Sequence, residues 1–92
     1  MSQITSALAG AALILDAGRA AGLPEPFTIT ASSHDAVTMQ FWTVDQLEEW
    51  SAYLNSPIGE YQGENGVRHS IEAELFEQPL RLSCYVRAEV VA

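Results

Sequence analysis

The chain has 92 residues, of which 48% are hydrophobic and 17% charged. That composition excludes a disordered chain and fits one domain with a modest core and a thin stability margin. Four basic residues against twelve acidic ones leave a net charge of -8, which disfavours direct contact with nucleic acid or an anionic membrane and suits solubility or a basic partner.

Residues 3–21 lack proline and are rich in alanine and leucine, which predicts a helix. Ile4, Leu8, Ala11, Ala12 and Leu15 recur at helical spacing as its apolar stripe, and Leu13, Ile14 and Ala17 widen it. Ser2 is placed to cap the start, and Gly22-Leu23-Pro24 ends the helix. Gly10 and Gly18 weaken its interior, which is reasonable where another backbone comes close. The apolar run has no basic residue before Arg19 and contains Asp16, so it reads as a core helix and not as a signal peptide.

Phe27–Ser32 and Ala36–Trp42 both alternate, which predicts two half-buried strands. A loop of Ser33, His34 and Asp35 pairs Ala31 with Val37 and Ile29 with Met39. Phe27, Ile29 and Ala31 then share the inner face with Val37, Met39 and Phe41. Thr43 and Gln46 have capping-box spacing at the start of a second helix, whose inner face carries Leu47, Trp50, Ser51 and Leu54. Trp42 precedes the cap and is spaced to staple onto Leu47.

Ser56–Gly66 holds three glycines and a proline and reads as a loop. The rest is a hairpin. A turn at Glu77-Gln78 aligns Leu75 with Leu80, Glu74 with Arg81, Ala73 with Leu82 and Ile71 with Cys84. The predicted architecture is a single α+β domain over residues 1–92: a two-layer sandwich in the order α-β-β-α-β-β. A four-stranded antiparallel sheet, ordered 1-2-4-3 as in a permuted ferredoxin-like fold, carries both helices on one face. A sheet ordered 1-2-3-4 with a central parallel pair is the alternative.

Motifs for metals, phosphates and nucleotides are missing, so no cofactor or metal ligand is expected. His34 beside Asp35 reads as a polar hairpin loop, and His69 as a partly buried structural residue. Cys84, the single cysteine, faces inward as an inert thiol and fits a cytoplasmic setting without an intrachain disulfide. Glu72 and Glu74 share a face with Arg81 and Arg87, so ion pairing accounts for them better than acid-base catalysis. No catalytic residue is assigned, and the chain is read as non-enzymatic.

The outer face of the sheet holds more of interest. By register it carries Thr28, Thr30, Thr38, Gln40, Trp42, Ser70, Glu72, Glu74, Phe76, Arg81, Ser83, Tyr85 and Arg87. Three aromatics and two arginines on a solvent-facing surface are characteristic of protein interfaces, although strand propensity also favours aromatics there. The anchors are taken to be Trp42, Phe76, Arg81, Tyr85 and Arg87.

A helix, then "LPEPFTIT", then a strand running into "VDQLEEWSAYL", then a hairpin closing on "PLRLSCYV" resembles small acidic proteins of actinomycete genomes and their phages. The resemblance spans most of the chain. It implies an intracellular bacterial or phage context, and no activity or functional residue. The resulting expectation is a small interaction module that binds a protein partner or pairs with itself as a homodimer. One alternative is an acidic inhibitor that imitates nucleic acid. The other is a small enzyme or enzyme subunit, with the "IGEYQGENG" loop as a lid.

Overall fold

A computed structural model describes residues 3–31 and 36–87, with residues 3–7 as helical backbone only. The proposed cap Ser2, the side chain of Ile4, the His34–Asp35 loop and the end of the last strand lie outside the described residues. The elements are α1 (Gln3–Ala20), β1 (Thr28–Ala31), β2 (Val37–Gln40), α2 (Val44–Leu54), β3 (Gly59–Gly63), β4 (Gly66–Leu75) and β5 (Gln78–Arg87).

Five strands form one sheet in the order β1-β2-β5-β4-β3. The four anticipated strands keep the anticipated order, but two expectations are corrected. The sheet has a fifth strand, because Gly59–Gly63 pairs with β4 instead of forming a loop. It is also mixed, because β2 and β5 are parallel. The second correction follows from the first: an extra antiparallel strand reverses the direction of everything after it. β5 thus meets β2 head to head, as it would not in the wholly antiparallel sheet of a permuted ferredoxin-like fold.

The first hairpin has the expected register, with Ile29 opposite Met39 and Ala31 opposite Val37. The second turns one residue earlier than expected, at Phe76-Glu77, whose φ values of 53° and 63° are left-handed. Ala73 therefore faces Leu80, Ile71 faces Leu82, Glu72 faces Arg81, and Cys84 faces His69. Moving the turn by one residue moves every pairing by two, so each side chain keeps its face.

α1 ends in a Schellman motif: Leu23 N–H donates to the Gly18 carbonyl (2.9 Å) and Gly22 N–H to that of Arg19 (3.1 Å). Gly22 supplies the required positive φ of 74°. Around the helix, the buried stripe is rotated from the expected one. Gly10, Ala11, Ile14 and Gly18 are buried, whereas Leu8, Ala12 and Leu13 are exposed. Hydrophobicity could not find this stripe because glycine forms half of it. Side chains, not backbone, fill the space these glycines leave: a Cβ would stand 2.6 Å from Gln78 Oε1 at Gly10 and 2.7 Å from Trp50 Cη2 at Gly18.

Both helices pack on one face of the sheet. Ala11 and Ile14 from α1 and Leu47 and Trp50 from α2 meet Val37, Met39, Ile71, Leu80, Leu82 and Cys84. The Trp50 Nε1–H donates to the Pro24 carbonyl (2.8 Å), which ties the segment after α1 to α2. The Thr43–Gln46 capping box forms as expected. Cys84 is buried, and loss of solvent raises its thiol pKa.

Candidate interaction face

No described helix covers the outer side of the sheet, and its register sets side chains there in cross-strand rows. One row runs Thr28, Gln40, Ser83, Ser70, Gly59; a second runs Thr30, Thr38, Arg81, Glu72. A third begins Tyr61, Arg68, Tyr85 and reaches Trp42, which follows β2. Small residues in the first row form a floor, and long ones in the other two form walls. The result is a trough of about 390 Å³ lined by Thr38, Gln40, Tyr61, Arg68, Ser70, Glu72, Arg81 and Ser83. An aromatic cleft of about 280 Å³ adjoins it, lined by Phe27, Gln40, Phe41, Trp42, Arg68, Ser83 and Tyr85.

Trp42 is 73% exposed. Its ring stacks on Phe27, with centroids 4.0 Å apart and planes 23° apart. At that exposure it is not buried against Leu47, as the anticipated staple would have it. The backbone of Trp42 is fixed by the cap, because its N–H donates to Gln46 Oε1 (3.1 Å). The same capping side chain that starts α2 thus holds the exposed indole at the rim of the cleft.

Trp42 and Tyr85 come together in the cleft, and Arg81 lines the adjoining trough, where its Nη2 donates to Glu72 Oε1 (3.0 Å). Arg87 is exposed at the end of β5, opposite Gly66. Phe76 is exposed too, but it sits in the β4–β5 turn and lines neither hollow. From Gln78 to Tyr85 the strand runs roughly 23 Å, so Phe76 belongs to the opposite end of the sheet.

Sequence reasoning missed Arg68, Tyr61 and Phe27. Arg68 was within reach, since it lies two residues before the outward Ser70. Its guanidinium Cζ sits 5.4 Å from the centroid of the Tyr61 ring, a cation–π distance. Tyr61 was lost with the unrecognised strand. Phe27 was expected inside with Ile29 and Ala31, but it is 43% exposed, because it precedes β1 and turns over the sheet edge onto Trp42.

The face also differs in charge from the rest of the chain. Among the described residues its outward positions carry Arg68, Arg81 and Arg87 against Glu72 and Glu74. Arg19 lies on α1, tied to Glu25 by a 2.6 Å charge-assisted bond that raises its pKa. Exposed acids lie elsewhere as well: Asp16 on α1, and Asp45, Glu48 and Glu49 on α2. On the inner side His69 Nδ1 lies 3.7 Å from Glu60, next to buried Cys84. No group of three potential metal ligands forms among the described residues, and no described helix is long and apolar enough to cross a membrane. No protein-family model, curated protein or solved structure matches the chain.

Proposed function

We propose that the chain is a non-enzymatic interaction module that binds another protein through the open face of its sheet. The observation that carries this reading is the exposed Phe27–Trp42 stack beside Tyr85, at the rim of a cleft continuous with a charged trough. Exposed aromatics and arginine around a concavity are the side chains that anchor protein interfaces. An open sheet face gives them a rigid base, so little ordering entropy is lost on binding. The raised thiol pKa of buried Cys84 favours the unreactive form, which agrees with a binding role over nucleophilic chemistry. The buried free thiol also agrees with a reducing, cytoplasmic setting.

The test is affinity capture with the intact chain beside Trp42→Ala and Tyr85→Ala, with sedimentation at micromolar concentration. Partner binding, or a dimer, should be lost in both variants while their circular dichroism is unchanged. A monomer whose captured partners are indifferent to both substitutions would remove the sheet face from consideration.

A further inference from the structure

We infer that the trough takes an extended acidic segment of a partner protein. One of its carboxylates lies on Arg68, and a neighbouring apolar side chain enters the cleft between Trp42 and Tyr85. This rests on the interaction-module reading and adds the chemistry of the partner.

Charge comes first. In a chain of net charge -8, the described outward positions of the sheet carry three arginines against two glutamates. Within the trough, the charge of Arg81 is answered by Glu72 at 3.0 Å. That of Arg68 is not, because among the described residues it makes no ion pair and rests against the Tyr61 ring. Arg68 lines both the trough and the cleft, so its planar fork is open to a carboxylate at their junction, where two parallel N–H donors fit the two oxygens.

Shape gives the length of the occupant. The hollows share Gln40, Arg68 and Ser83 and form one depression across the sheet. Five strands at ~4.8 Å spacing make it roughly 19 Å wide, the length of about six extended residues. Glu72 in the trough opposes a phosphate chain, which is charged at every step, whereas a peptide can set one carboxylate on Arg68 and uncharged residues beside Glu72.

Selection from a random dodecapeptide display library on the full chain tests this, followed by titration of the enriched peptides. They should combine Asp or Glu with an aromatic or aliphatic residue. Affinity should fall as salt rises. Arg68→Gln should weaken binding roughly tenfold or more, and Arg68→Lys by less, because lysine keeps the charge but not the fork. Exposed Arg68 can be replaced without disturbing the core, and circular dichroism verifies this. Enrichment of neutral or basic peptides, no enrichment, or indifference to Arg68→Gln overturns the inference. If binding then still depends on Trp42 and Tyr85, the interaction face stands and only the acidic occupant is wrong. A dimer abolished by Trp42→Ala would make the occupant a second copy and overturn the inference as well.

Discussion

Gly18 is where α1 and α2 touch, and replacing it with alanine tests the packing directly. An alanine Cβ there would stand 2.7 Å from Trp50 Cη2 and 2.8 Å from Cζ2. Carbon atoms pack at ~3.5–4.0 Å, so the indole would have to retreat by roughly 1 Å. It is poorly placed to do so. Its Nε1–H is committed to the Pro24 carbonyl at 2.8 Å, and the Phe41 and Tyr53 rings lie 6.1 Å away on either contact. Overpacking of this kind costs about 1–3 kcal/mol. Removing a glycine from the interior of a helix returns about 1 kcal/mol. Gly18→Ala should therefore destabilise by about 1 kcal/mol, which lowers the melting temperature of a domain this size by roughly 4–8 °C. Trp50→Phe removes the ring atoms that collide, so in that background Gly18→Ala should stabilise by about 1 kcal/mol. The double-mutant cycle then shows a coupling of about 2 kcal/mol, measured by urea unfolding and far-ultraviolet circular dichroism on the four proteins. If Gly18→Ala raises the midpoint equally in both backgrounds, the coupling is zero and the indole does not lie on Gly18.

Thr43→Ala removes the cap of α2 and should cost about 1 kcal/mol in urea unfolding; an unchanged midpoint would show the cap to be idle. Replacing Phe76 and Glu77 together by Asn and Gly, which accept left-handed backbone, should relieve roughly 1–2 kcal/mol of strain and raise the melting temperature. It should also leave peptide binding unchanged, and loss of binding would return Phe76 to the interface. Burial raises the Cys84 pKa, so the folded state favours the neutral thiol. Its contribution to stability is whole below the ordinary thiol value of 9.0 and declines as pH rises from there towards the folded value. Cys84→Ala should flatten that alkaline decline in stability-versus-pH curves, and an equally steep curve would show that the thiol does not titrate with unfolding.

Local signals in the sequence were sufficient for the parts of this fold that depend on near neighbours. The capping box at Thr43, the end of α1 at Gly22 and the register of Ile29 against Met39 each rest on a few adjacent residues, and each formed as read. Face assignment in the second hairpin was also sound, even with the turn misplaced, because a two-residue shift preserves alternation. The outward set that includes Trp42, Arg81 and Tyr85 was readable for the same reason.

Tertiary structure decided what depends on distant partners. Gly59–Gly63 has glycine at both ends and little β propensity, so it becomes a strand only because β4 offers an unpaired edge. That edge strand brings Tyr61 beside Arg68 and makes β5 parallel to β2. The stripe of α1 was set by where Trp50 and Gln78 needed room, not by where the larger apolar residues lay. Trp50 and Trp42 illustrate the division. Helical spacing with Leu47 was enough to send Trp50 into the core. Only the assembled sheet, with Phe27 folded over its edge, left Trp42 open at the rim of a cleft.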